Sequence, residues 1–454
     1  MISLLLMLVT QPADAGRKKS AEPDLNAVAH HLLGASLTTD GAWDKLEELC
    51  DDIGHRISGS PALERAVDWG AERMDEDGLK VTKEEVLVPR WIRGTQRATL
   101  LDPVEQPLRI LTLGGSEPTP KGGLTAPVVV LDDFEQLDSV DVKGKIVLWD
   151  VPFTTYGPTV QYRTRGASKA GAHGAVASLV RSVTPSSLDT PHTGAMRYAD
   201  DDEARIPTAA VTVETATQIR RLTERHDTIR MSLELTPRFE DDAVSHNVVG
   251  EIVGREAPDE IIVMGCHLDS WDVGQGAQDD GAGCVAVMQA GALLAALPTA
   301  PRRTVRVVLF TNEENGLRGG TAYAEAHADE NHIAAMEADT GAGTPQGLRV
   351  DARGDDGPDE ARAKAAIAKL DVLRGWLEPL EATNLTPSFS GADIGPLVST
   401  GVLGFGLQQD TTGYWPIHHT EADTLEKVDP QSLRRMVATM ALTAWYLAEA
   451  PEPL

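Results

Sequence analysis

Glu260–Leu297 reads EIIVMGCHLDSWDVGQGAQDDGAGCVAVMQAGALLAAL, and three textures follow one another within it. Glu260–Gly265 is a short apolar run of the length expected for a strand buried on both faces. Gly283–Leu297 is a second apolar run, 15 residues long with Gln289 inside it. It is too short to cross a bilayer and reads as a buried core helix. Between the two lies a polar, glycine-rich turn that carries His267, Asp269, Asp279 and Asp280. Strand, turn and apolar helix in that order are the unit of an α/β sheet.

The same alternation continues on both sides. Asn247–Val253, Val305–Thr311 and Ile333–Ala338 are strand-like, Gly316–Ala328 is helical, and a last helix over Gln431–Ala448 follows Asp429-Pro430. The expectation is an α/β fold with a mostly parallel sheet. Upstream, Asp40–Gly54 and Ser60–Leu79 read as helices. In the second, Leu63, Ala66, Val67, Ala71 and Met74 recur at helical spacing behind a Ser60-Pro61 cap. Between about 110 and 240 the texture changes to short β-rich runs (Val128–Leu131, Lys145–Trp149, Ala175–Val180, Thr208–Val213, Met231–Leu235) separated by Gly, Pro and Asp. That stretch reads as an inserted module, 110–240, dividing a larger domain into 39–109 and 241–450.

The chain has 454 residues, and its 41 basic against 69 acidic side chains give a formal charge of −28. With 41% hydrophobic and 24% charged residues it is a globular composition able to build a sizeable core. The charge argues against nucleic acid or an anionic membrane as partner, because phosphate rewards clustered Lys and Arg. No apolar run reaches the length of a membrane span. Residues 1–15 resemble a removable export segment: Ile2–Val9 is apolar and Ala13-Asp14-Ala15 has the small-x-small form of a cleavage site. Arg17-Lys18-Lys19 lies on the far side of that site, and residues 16–38 form an N-terminal extension. The protein is therefore expected to be exported, either secreted or periplasmic. Cys50, Cys266 and Cys284 allow one bridge at most.

Five segments place a His or carboxylate cluster where an apolar run ends or a helix begins: His267-Leu268-Asp269, Asp279-Asp280, Glu313-Glu314, Asp339 and His418-His419. In an open α/β sheet the carboxyl ends of strands form the ligand crevice. Singly, each is a weak signal. A His-x-Asp is more often a surface pair, and adjacent carboxylates are usually solvated helix caps. Their joint occurrence in this order favours a metal site. Asp269 is placed to fix the ring of a ligating His267 from outside the coordination sphere. Of an adjacent Glu pair, one can ligate while its neighbour accepts a proton from water. His and carboxylate donors without thiolate suit zinc by default and would accept cobalt or manganese.

Together with Gly265–Ser270, Asp279–Gly283, Asn312–Gly319, Glu337–Asp339 and His419–Thr424, the chain resembles the M28 family of co-catalytic zinc peptidases. The resemblance extends from about 40 to 450, through Gly54–Trp69, Gly157–Ala170 and Ser178–Gly194. It implies an α/β/α zinc-peptidase domain with an inserted β-rich protease-associated domain, two zinc ions per chain, and a homodimer. Carried over by position, His267, Asp279 and Asp339 hold one zinc, and Asp279 bridges to a second held by Glu314 and His419. Glu313 is the implied proton acceptor and Asp269 the partner of His267. Asp280 remains an alternative for the bridge and His418 for His419; Asp423 lies four residues after His419, the family spacing. Cys266 stands where the family pattern leads one to expect glycine, and an inert core residue is preferred there over a stray ligand. The expected function is an exported dizinc exopeptidase acting on short peptides, above all dipeptides with free termini. Its rivals are a broad aminopeptidase and a receptor-like binding protein on the same fold. Gly274–Gly276 and the loop Gln408–His418, with Tyr414-Trp415-Pro416, are expected to wall the cleft.

Overall fold

The computed structural model describes residues 23–199, 204–354 and 357–454, so the export segment read at 1–15 lies outside the described residues. The larger sheet has eight strands: β1 (Lys80–Ile92), β2 (Arg238–Ile252), β3 (Ala257–His267), β4 (Arg303–Phe310), β5 (Asn331–Glu337), β6 (Pro345–Asp351), β7 (Asn384–Pro387) and β8 (Leu403–Gln409). Their order across the sheet is β1-β2-β4-β3-β5-β8-β6-β7. The central four, β4, β3, β5 and β8, run parallel, and antiparallel pairings flank them on both sides.

β3 shows why its sequence is apolar throughout. Ile262, Met264 and Cys266 enter one core, whereas Ile261 and Val263 pack with Phe310, Tyr323 and Leu397 in another on the opposite face. The helices that cover these faces include α1 (Leu25–Thr38), α2 (Gly41–Glu48), α3 (Pro61–Glu76), α5 (Ala282–Ala295), α6 (Arg318–Ala326) and α7 (Pro430–Glu449), while α4 (Tyr156–Ala172) belongs to the second unit described below. The caps are those the sequence announces: Ser60 accepts from the amide of Leu63, and Asp429 from that of Ser432. The helix expected over Asp40–Gly54 keeps α geometry only to Glu48 and finishes as a wider turn, Leu49–Ile53. Among the described residues no helix is long and apolar enough to cross a membrane.

A second eight-stranded sheet lies between β1 and β2 in the chain. It begins at Gln96–Leu100, upstream of the change of texture at 110, and ends with Arg230–Leu235. Ile146, Leu148, Leu179, Val211 and Leu233 give it a core of its own. Its helix α4 is not visible as an apolar stripe, because its buried face is Thr159, Arg163, Gly166, Ala167, Ala170 and Gly171. Gly166 is needed there, since a Cβ would run into the Trp149 indole.

Cys266 is not the inert core residue expected from the sequence. It is disulfide-bonded to Cys284, with the two Cα atoms 5.1 Å apart. The end of β3 and the first turn of α5 meet side by side, so residues 18 apart in sequence become neighbours. The bridge closes the loop that carries His267, Asp269, Asp279 and Asp280, and only Cys50 remains a free thiol. Thiol titration of the denatured, unreduced protein should therefore find one thiol per chain, and finding all three would refute the bridge. Replacing both bridged cysteines by alanine should lower stability by about 3 kcal/mol, the usual effect for a loop of this length.

Candidate metal centre

The chain order reverses around β3, which has β4 on one side and β5 on the other. At such a switch point the loops leaving the strands diverge and open a crevice. His267 ends β3, Glu313-Glu314 follows β4, Asp339 follows β5, and Asp279 sits in an irregular turn before α5. His419 arrives from the loop after β8.

These side chains converge in pairs. His267 Nε2 lies 3.3 Å from Asp279 Oδ1 and 3.3 Å from Asp339 Oδ1. His419 Nε2 lies 3.2 Å from Asp279 Oδ2 and 3.1 Å from Glu314 Oε2. Donors at ordinary zinc distances stand about 3.3 Å apart along a tetrahedral edge, and the two edges that meet at each histidine have that length. Glu314 Oε1 and Asp279 Oδ2 are buried with no hydrogen-bond partner. Buried carboxylate oxygens without donors are costly, and a cation between them removes the cost.

The electrostatics agree. Burial opposes a charged His267, yet Asp279 and Asp339 hold its pKa well above the usual range. Burial likewise works against a charged His419, and Glu314 and Asp279 lift it to about 10. Burial pushes Glu313 well above the carboxylate range, with Asp339 and Glu314 adding to the effect. The donor set thus fits a group carrying several positive charges.

The alternatives separate by what else they touch. Asp280 lies near His267 and Asp339, but its oxygens accept from the amides of Gly283 at 3.1 Å and His267 at 3.3 Å. It thereby caps α5, and Gly283 is required because a Cβ there would strike both that carboxylate and the carbonyl of Ala338. His418 stacks on His419 with ring centroids 3.6 Å apart, and its Nε2 is 3.7 Å from Asp279 Oδ2. Burial, then the neighbouring His419, drives the His418 pKa well down.

Asp269 faces His267 chiefly through its main-chain carbonyl, 3.0 Å from Nδ1, with its carboxylate Oδ1 further off at 4.0 Å. The carboxylate instead accepts from the amides of Glu313 at 3.0 Å and Glu314 at 3.3 Å, and from Ser58 Oγ at 3.0 Å. One residue therefore orients a histidine through its backbone and the Glu pair through its side chain. Asn312, at φ 64°, adopts the left-handed turn that asparagine tolerates and sends the two glutamates in different directions.

Three further residues support the centre, among them Asp423, the residue marked by its spacing from His419. Asp423 grips the amides of Gln278 at 2.7 Å and Asp279 at 3.2 Å. Arg56, fully buried, donates to the carbonyls of Leu268, Gln275 and Gly276 at 2.5, 2.8 and 2.9 Å. The second unit contributes Thr193, whose amide donates to His419 O at 3.0 Å and whose carbonyl faces His419 Nδ1 at 3.2 Å. That grip holds His419 at φ 62°, a conformation that costs a non-glycine residue roughly 1–2 kcal/mol.

A cleft of about 410 Å³ opens over the centre, lined among others by Tyr156, Arg163, Glu313, Arg349 and Trp415. Tyr156 stacks on Trp415 at 4.7 Å, so the second unit closes one wall. Tyr414 instead lies buried behind His418, and Gly274 packs against the backbone of Thr420 and Asp423.

The sequence profile of Peptidase family M28 matches residues 247–444, and that of the PA domain residues 124–219. Carboxypeptidase Q of Mus musculus is 39% identical over 91% of this chain and 87% of its own length. The chain belongs to peptidase family M28. It is a zinc-dependent metallopeptidase of exopeptidase type. A peptidase M28 precursor from Shewanella amazonensis SB2B superposes with a TM-score of 0.89 at 35% identity, covering 95% of this chain and 98% of that one. BSAP, a zinc aminopeptidase from Bacillus subtilis, shares the fold at a TM-score of 0.67 and 21% identity, over 91% of this chain and 96% of its own.

Because Asp269 joins neither triad and positions its neighbours instead, Asp269→Ala should weaken zinc affinity or activity by about 10–100-fold without abolishing either. Chelator competition and initial rates measure this. An inert substitution would show that the Glu313-Glu314 backbone holds its place unaided.

Proposed function

We propose that this peptidase is an exported dizinc enzyme that hydrolyses short peptides, principally dipeptides with free termini. The observation that carries the dizinc reading is Asp279, whose two oxygens each face a different histidine, at 3.3 and 3.2 Å. His267, Asp279 and Asp339 would hold one ion, and Asp279, Glu314 and His419 would hold the other. Zinc bound there supplies Lewis-acid polarisation of the scissile carbonyl and acidifies water.

Glu313 is the remaining carboxylate of the pair and lines the cleft without joining either triad. It takes the proton from the attacking water and delivers it to the leaving amine. Its backbone, anchored on Asp269, fixes where that carboxylate stands. The four carboxylates of Asp279, Glu313, Glu314 and Asp339 offset the charge of two divalent ions, so the cleft keeps no net positive charge that would repel the free amine of a substrate. The wall formed by Tyr156 and Trp415 supports short substrates, because added residues must find room or remain in solvent. Export is supported by the pattern of residues 1–15 and by the Cys266–Cys284 bridge, which suits an oxidising compartment.

A series from dipeptide to hexapeptide with free ends tests the substrate class. Dipeptides should show the highest kcat/KM, and N-acetylation should abolish cleavage. A flat series would make the enzyme a broad aminopeptidase instead. In the same assay Glu313→Gln should retain its zinc while kcat falls by roughly 10²–10⁴-fold. Loss of metal in that variant would make Glu313 a ligand.

A further inference from the structure

Arg349 stands on β6 opposite Gly406 of β8, which in turn pairs with Glu337 of β5. At about 4.8 Å per strand, its Cα is roughly 10 Å from that of Glu337, two residues before Asp339. The side chain reaches the same cleft as Asp279, Glu313 and Asp339.

Its guanidinium is almost uncommitted. One Nη donates to the carbonyl of Leu407 at 3.0 Å, and Nε is buried with no hydrogen-bond partner. Among the described residues no carboxylate forms an ion pair with it, although the chain carries a formal charge of −28. Arg349 is half-buried, and the more deeply buried arginines are placed differently. Arg93 pairs with Asp272, Arg303 with Glu260, and Arg306 with Glu251 and Glu330. Arg56 is surrounded by carbonyl acceptors. Arg163, the second guanidinium of the cleft, also has a buried Nε without a partner, but both its Nη atoms are committed, one to Thr193 O at 3.3 Å and the other to the Tyr156 hydroxyl at 3.0 Å. Burial lowers the pKa of Arg349, as expected for a cation that has given up water without gaining a partner.

We propose that Arg349 binds the free carboxylate at the C-terminal end of the substrate and so sets how far the substrate extends beyond the scissile bond. The proposal rests on the peptidase reading of the cleft. Guanidinium is the group best matched to a carboxylate, through two parallel charge-assisted hydrogen bonds. An extended residue spans about 3.5 Å, so the carboxylate of a single residue following the scissile bond stays close to the metal centre. Each further residue carries it that distance again, past a side chain anchored on Leu407. Arg349 thus faces the carboxylate of a substrate with one residue beyond the scissile bond, which favours the dipeptide over longer peptides. Arg349 is a specificity-determining residue and takes no part in proton transfer.

The test compares one dipeptide as the free acid and as its C-terminal amide, in the unaltered enzyme and in Arg349→Gln, Arg349→Lys and Arg163→Gln. The unaltered enzyme should prefer the free acid by roughly 10²-fold or more in kcat/KM, the order expected when a desolvated charge pair loses one partner. Arg349→Gln should bring that ratio close to unity, mainly by raising KM for the free acid. Arg349→Lys should keep part of the preference, and Arg163→Gln should keep it in full. Equal rates on acid and amide in the unaltered enzyme would overturn the proposal, as would a preference that survives in Arg349→Gln. If Arg349→Gln lacks a cooperative thermal transition, the ratios in the unaltered enzyme and in Arg349→Lys decide by the same criteria. Absence of hydrolysis across all free peptides would instead defeat the peptidase reading on which the proposal stands.

Discussion

The carboxylate of Asp279 stands between two imidazoles, 3.3 Å from Nε2 of His267 and 3.2 Å from that of His419, and much of the surrounding structure holds it there. It sits in an irregular turn whose backbone is not helical at Asp279 and Asp280, and its amide is held by a side chain from another loop. Asp423 grips its amide from one side. Arg56 ties down the preceding loop through three carbonyls, and the Cys266–Cys284 bridge joins the ends of that loop. Burying so many carboxylates around one point is unfavourable in the protein alone. The fold tolerates the arrangement because it fits divalent cations.

The second unit is part of this arrangement. Thr193 holds His419 through both its amide and its carbonyl. Arg93, at the end of β1, bonds to the Asp272 carboxylate and to Thr193 Oγ1 at 3.2 Å, linking the strand that enters the second unit to the loop after β3. Tyr156 and Arg163 of α4 then face the cleft directly. A rotation of one unit against the other would therefore move the anchor of His419 as well as the cleft wall, which ties substrate access to the integrity of the centre.

Much of the larger sheet is legible because buried parallel strands leave near-continuous apolar runs, as in Ile261–Gly265 and Val305–Phe310. The polar residues at the ends of those runs stand out for the same reason, so His267, Glu313, Glu314 and Asp339 can be picked from the sequence. What escapes it has no periodic signature. α4 buries glycine, threonine and arginine, and Arg349 sits in a β6 whose seven residues include proline, glycine and glutamine. The pairing of Cys266 with Cys284 depends on the close approach of a strand end and a helix start, which linear spacing does not encode. Asp269 shows a finer limit: its proximity to His267 is readable, whereas the choice of carbonyl over carboxylate for the ring is a matter of backbone direction.

Zinc stoichiometry, measured by elemental analysis after equilibration with buffered zinc, tests the account most directly. Two ions should bind per unaltered chain, one in His419→Ala, and fewer than one in Asp279→Ala, because the shared carboxylate would serve both positions. A single ion in the unaltered enzyme, or both ions retained by Asp279→Ala, would contradict it.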